Sequence, residues 1–181
     1  MSGKAPRVAV VMGVSGSGKT TIAQGLAAAW PARFLDADDF HSARARARMA
    51  GGQPLTDAMR RPWVLRLRAE LERRVGAGER VCLAFSGLRR QHRDLLRATG
   101  LPLRFVFLQG GQALIASRMR ARSGHYMPVS LLQSQFDALE EPVGEADVAV
   151  VSIDAPAERV VACALAALEA PGSAPRKKNS P

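Results

Sequence analysis

The stretch Gly13-Val14-Ser15-Gly16-Ser17-Gly18-Lys19-Thr20 has the composition and spacing of a phosphate cradle. It matches G-x-x-x-x-G-K-[ST] at every defined position, and it sits between an apolar run and a helical pattern, the context that separates a working cradle from a chance match. Glycines accept backbone angles and close approaches that a Cβ forbids. Successive N–H groups can therefore ring a β-phosphate at a helix N-terminus. Lys19 reaches toward the β- and γ-phosphates, and Thr20 offers its hydroxyl to Mg2+. Gly13 through Thr20 thus predict a nucleoside triphosphate site. The chain has no N-K-x-D, no L-S-G-G-Q and no long apolar strand ending in Asp-Glu. Those absences set aside GTPases, ABC ATPases and motor ATPases, and leave the small kinases of metabolites and nucleotides.

A second constellation, Leu35-Asp36-Ala37-Asp38-Asp39-Phe40-His41, follows the next apolar stretch. In open parallel sheets the strand C-termini line the ligand crevice, so these acids are expected near the cradle. A carboxylate there can take a proton from an attacking hydroxyl or hold Mg2+ through water; it can also cap a following helix. Asp38 is expected to do the chemistry, with Asp36 or Asp39 in a capping or structural role. Downstream, Arg44, Arg46 and Arg48 alternate with alanine, and only Arg44 and Arg48 share a helix face. A solvated face is the simpler reading of that run. Arg60 and Arg61 precede Pro62-Trp63, and an arginine held against a tryptophan at a cleft edge suits a carboxylate or phosphate.

These residues need a scaffold that gathers them. Apolar, β-rich runs predict strands over 7–12, 33–38, 80–85, 103–108 and 147–153. Helical patterns run over 19–29, 39–49, 57–75, 89–97, 111–122, 129–139 and 156–170. Strands that are apolar throughout, alternating with helices, indicate a parallel sheet covered on both faces. The expectation is an α/β three-layer P-loop kinase fold with a five-stranded parallel sheet, one domain over residues 1–170, and a Pro/Gly/Ser and charge-rich tail, 171–181, expected to be disordered.

Composition bounds the remaining classes. No apolar run among the 181 residues approaches the ~20 needed to span a membrane. The start lacks a convincing signal peptide, so no membrane association and a cytoplasmic location are expected. Net charge is +10, but it is spread along the chain and aromatics make up only 5%. No stacking platform emerges, so no nucleic-acid partner is expected. Cys82 and Cys163 lie in apolar stretches and read as core thiols; with no C-x-x-C and no Cys/His cluster, neither zinc nor a disulfide framework is expected.

At the level of whole blocks the chain resembles the gluconate kinases, the small P-loop gluconokinase family. The likeness covers residues 7–168 and rests on "VMGVSGSGKT", "FLDADDFH", "RMAGGQPLTDAMRRPW", "FSGLRRQHRDLLR", "SRMRARSGHYMPVSLLQSQFDALEEP" and "VSIDAPAERVV". The first block is shared by all P-loop kinases; "GGQPLTD…RRPW", "RDLLR" and "SQFDALEEP" are far more specific. The resemblance implies ATP- and Mg2+-dependent phosphorylation of the 6-hydroxyl of D-gluconate. It implies that Asp38 lies near that hydroxyl and that His41, Arg60, Arg89 and Arg90 face the sugar acid. It also implies a small lid over 118–128 with Arg118 and Arg122 above the phosphates, where arginines would meet developing charge and closure would exclude water; a solvated amphipathic helix is the other reading of 117–122. A homodimer is compatible with the family. The chain departs from the family pattern at Ala37, Ser42, Ala45, Met59, Gly87, Arg89 and Arg90. Losing an amide at 45 and an acid at 59 is expected to relax selectivity among sugar acids. Two alternatives accompany gluconate: another small sugar acid as acceptor, or a nucleotide-binding sensor without acceptor turnover.

Overall fold

The computed structural model of the chain describes residues 5–121 and 129–170. Its elements run β1 (Val8–Met12), α1 (Lys19–Ala29), β2 (Arg33–Asp36), a 3-10 turn (Ala37–Phe40), α2 (Ala43–Ala50), α3 (Asp57–Gly76), β3 (Val81–Phe85), α4 (Arg90–Arg97), β4 (Leu103–Gln109), α5 (Gln112–Ala121), α6 (Val129–Ala138), β5 (Val148–Ser152) and α7 (Ala157–Glu169). The five strands form one parallel sheet in the order β2-β3-β1-β4-β5. β1 is central: Val8 registers with Val81 on one side and with Leu103 on the other. The crossover after β1 runs out to β2, and β4 lies on the opposite side. That change of direction opens a crevice at the strand C-termini.

Side chains of β1 alternate between the two faces. Ala9 and Val11 pack with Ile22 and Leu26 of α1 and Val160 and Ala164 of α7. Val8, Val10 and Met12 pack with Trp63, Leu67 and Leu71 of α3 and Leu96 of α4. Three layers result, as the apolar strand runs predict. Among the described residues, no helix is long and apolar enough to cross a membrane.

The helix expected over 39–49 is divided. The Asp36 carboxylate accepts from the Asp38 amide at 3.0 Å, which ends β2 and starts the 3-10 turn; Ser42 then caps α2 through the Ala45 amide. Pro62 lies inside α3 without breaking it. It removes the helix bond to the Ala58 carbonyl, and both residues are on the exposed side. Cys82 is buried, as expected, and its thiol is pushed up to about 12 by burial. Cys163, expected in the core, is exposed on α7, because only the stripe through Val160, Ala164 and Leu168 is buried. The tail at 171–181 and the lid segment 122–128, including Arg122, lie outside the described residues.

A buried ion network ties α4 to the loop before β5. Arg93, 1% exposed, donates Nε to Glu145 Oε2 at 3.0 Å and Nη1 to the Gly87 carbonyl at 2.7 Å. Arg97 also meets Glu145, and its Nε donates to Asp147 at 2.7 Å. Burial opposes the charge on Glu145, but hydrogen bonds from Arg93 and Arg97 outweigh it and hold the carboxyl below its usual range. Its folded-state value being depressed, its contribution is present above the ordinary value of 4.5 and is lost as pH falls through the folded value. Glu145→Ala leaves the fully buried Arg93 without a carboxylate, while Arg97 keeps Asp147 and Asp94. The expected cost is about 3–5 kcal/mol, a fall in Tm on the order of 10 °C. A thermal melt at neutral pH checks this, and a Tm within a degree or two of wild type would contradict it.

Candidate active site

The cradle is the turn from β1 into α1, and Gly18, with φ of 95°, stands at the helix N-cap with no side-chain cap. The helix N-terminus is thereby left open to an anion. Gly16 shows why a side chain is excluded there: its φ is 79°, and a Cβ would meet Met119 Cγ of α5 at 2.6 Å. Lys19 folds back over the loop and donates Nζ to the Val14 carbonyl at 3.0 Å. Burial lowers its pKa, and the Asp38 and Asp36 carboxylates oppose that shift. The Ser17 hydroxyl is buried and has no hydrogen-bond partner among the described residues, an orphan of the kind that a bound phosphate oxygen would satisfy. The Ser15 amide already has an acceptor, Gln135 Oε1 of α6, at 2.6 Å. The loop therefore offers its N–H groups to acceptor oxygens, and Gln135 marks one of the positions.

Thr20 Oγ1 donates to Asp36 Oδ2 at 3.0 Å. This pair of hard oxygen donors beside the phosphate cradle is the donor set Mg2+ prefers, so the residues fit that ion. Asp36 therefore both caps the 3-10 turn and reaches the cradle.

Asp38 points into the same crevice from the turn that Asp36 caps. Partial burial and the Asp36 charge raise its pKa, against the opposing pull of His41 and Lys19. A carboxylate held above its usual range is a stronger base. His41 stacks on Trp63 with ring centroids 4.3 Å apart, and Trp63 is fixed by donating Nε1 to the Ala37 carbonyl at 2.6 Å. His41 Nε2 stands 3.7 Å from Asp38 Oδ1. Burial lowers the His41 pKa, with Asp38 opposing and Arg66, Arg60 and Arg46 reinforcing the shift. Its Nδ1 is buried without a hydrogen-bond partner.

These groups line one cleft of about 680 Å³, large enough for a small ligand. Lys19, Thr20, Asp36 and Asp38 occupy the cradle end; His41, Arg60, Arg89 and His92 line it further along. Asp57, the first residue of α3, stands beside Arg60, Arg89 and His92 of that second group. Its carboxylate is 3.4 Å from Arg60 Nη1, 3.6 Å from Arg89 Nη1 and 3.6 Å from His92 Nε2.

Of the sequence-predicted residues, the cradle, Asp38, His41, Arg60 and Arg89 come together. Arg90 does not. It opens α4, its side chain is 65% exposed, and it lies 3.7 Å from Asp94 instead of lining the cleft. Its backbone amide is what matters locally, donating to Glu140 Oε2 at 2.7 Å. Arg118 is also placed differently from expectation: Nη2 donates to the Ile153 carbonyl at 2.6 Å, bracing the exit of β5 rather than lining the cleft. Arg61 is exposed. Arg48 holds the Pro54 carbonyl at 3.1 Å, and α2 has no buried residue, in keeping with a solvated face. Ala45 and Met59 lie off the cleft, so the altered positions that suggested relaxed selectivity do not line the acceptor space. Gly87 has a local reason: its φ is 58°, and a Cβ would meet Met12 Sδ at 2.9 Å.

Sequence reasoning missed Gln135, Asp57 and His92. A signal existed for the latter two. Asp57 precedes Arg60, and His92 follows Arg89, by three residues in predicted helices, a same-face spacing.

Comparison with known proteins agrees with this geometry. A family model described as an AAA domain matches residues 8–143. The chain is 43% identical over 150 residues to a gluconokinase of Gluconobacter oxydans, covering 83% of this chain and 84% of that one. It is 42% identical over 154 residues to the thermoresistant gluconokinase of Escherichia coli, covering 84% and 88%. The crystal structure of a gluconokinase from Sinorhizobium meliloti superposes with a TM-score of 0.84 at 41% identity, over 91% of this chain and 92% of that one.

Proposed function

The chain belongs to the gluconokinase family of P-loop kinases, and we propose that it transfers the γ-phosphoryl group of ATP to the 6-hydroxyl of D-gluconate, giving 6-phosphogluconate. The observation that carries this reading is the single cleft in which the cradle and Asp38 face a half lined by His41, Arg60 and Arg89. The loop amides and Lys19 bind the triphosphate, with the Lys19 charge set where negative charge grows on the transferred group. Thr20 and Asp36 would hold Mg2+, which neutralises charge on the β- and γ-phosphates. Asp38 accepts the proton of the attacking hydroxyl, and Arg60 and Arg89 hold the acid group at the far end of the sugar chain. Catalysis is then mostly positioning: both reactants are fixed by rigid elements at the C-terminal ends of the strands. A cytoplasmic location and a homodimer fit this function.

The intact cradle beside a basic Asp38 favours turnover over a sensor role. Initial rates with gluconate, its epimers and glucose test the acceptor. Gluconate should exceed glucose by at least about a hundredfold in kcat/KM, since the neutral sugar leaves the arginines unpaired. With Ala45 and Met59 off the cleft, the epimers should be discriminated as well. Glucose equalling gluconate would contradict the anion-binding role of Arg60 and Arg89.

A further inference from the structure

One side chain at the arginine end of the cleft has no task in the mechanism. His92 is 5% exposed, lines the cleft, and has a buried Nε2 with no hydrogen-bond partner. Asp57 Oδ1 stands 3.6 Å away, beyond hydrogen-bond reach. That same oxygen is 3.4 Å from Arg60 Nη1, and the other is 3.6 Å from Arg89 Nη1. Arg89 Nε is a second buried atom without a partner. Two guanidinium charges against one carboxylate leave one positive charge, which suits a single acid group. Burial lowers the His92 pKa, Arg60 and Arg89 lower it further, and Asp57 and Glu140 oppose. The ring is therefore neutral at pH 7. It adds no charge, and it offers one hydrogen bond at Nε2 as donor or acceptor.

We propose that His92 reads the hydroxyl adjacent to the acceptor's acid group, so that the site selects an α-hydroxy acid and not merely an acid. The proposal rests on the gluconate kinase reading above. A carboxylate spanning Arg60 and Arg89 brings its neighbouring carbon toward Nε2, and a hydroxyl on that carbon supplies the missing partner. An acceptor without it leaves Nε2 buried and unpaired, which is how polar sites reject deoxy analogues. Asp57 is the positioning residue, setting both guanidinium groups beside the ring.

The test compares gluconate with 2-deoxygluconate as acceptors for wild type, His92→Phe and His92→Asn. Wild type should prefer gluconate by about tenfold or more in kcat/KM, mostly through KM. His92→Phe should bring that preference close to unity by losing gluconate while keeping 2-deoxygluconate. His92→Asn, which can still hydrogen-bond, should restore part of it. Where His92→Phe does not fold, the smaller His92→Leu carries the same comparison. An equal loss on both acceptors, an unchanged preference in the apolar variant, or no preference in wild type overturns the assignment and makes His92 a packing residue. A wild type that phosphorylates neither acid overturns the kinase reading, and the His92 assignment with it.

Discussion

Lys19→Ala should reduce phosphoryl transfer by about 10³-fold or more while leaving the protein folded. The Lys19 ammonium is the cation that closes the cradle, held on the Val14 carbonyl at 3.0 Å. Removing one preorganised donor from a transition-state site costs about 10²–10³ in kcat, and Lys19 contributes a full charge as well as a donor. Stability should not fall with it: burial disfavours the charged form of Lys19, so the alanine variant loses a group that the fold does not need. Lys19→Arg should not restore activity, because a planar guanidinium does not reproduce the compact ammonium. Single-turnover rates and a thermal melt separate the two effects. Near-normal kcat in Lys19→Ala would remove the cradle from the mechanism.

Asp38→Asn should lower kcat by about 10²–10⁴-fold, the range typical for loss of a general base, with little change in the KM for ATP. The neighbouring Asp36 is the control. Its carboxylate meets Thr20 Oγ1 and the Asp38 amide, so Asp36→Asn should raise the Mg2+ concentration needed for half-maximal rate and should also lower Tm. At the turn that Asp36 caps, Asp38 accepts the His41 amide through its main-chain carbonyl, a bond the substitution keeps, so Asp38→Asn should melt like wild type. A variant at 38 with unchanged kcat and a lowered Tm would mean that the two acids have been assigned in the wrong order.

Most of the scaffold could be read from the chain because its strands are buried on both faces. The runs Val8–Met12 and Val81–Phe85 are wholly buried, and such strands show up as uninterrupted apolar stretches. The cradle was legible for a different reason: its residues are contiguous, and their geometry is local. Where the reading failed, direction was the missing quantity. Arg89 and Arg90 are adjacent, yet Arg89 is the extended N-cap residue and Arg90 the first residue of α4, and only Arg89 reaches the cleft. Cys163 sits in an apolar helix of which one stripe is buried. The Arg118 guanidinium finds carbonyls at the exit of β5, a contact between distant segments that no local pattern encodes. The same holds for Gln135, which meets the Ser15 amide across 120 residues of sequence, and for Asp57, whose neighbour His92 belongs to another helix.

The cradle and the arginine-lined half of one cleft should act together on ATP and gluconate. Incubating the full chain with ATP, Mg2+ and D-gluconate, and following the products by phosphorus NMR, tests it most directly. The expected result is a phosphomonoester resonance that splits as phosphate on a CH2 carbon does, formed in equal amount with ADP and absent in Lys19→Ala. ADP released with inorganic phosphate and no sugar-acid ester, or an ester on a different carbon of the acceptor, would contradict it.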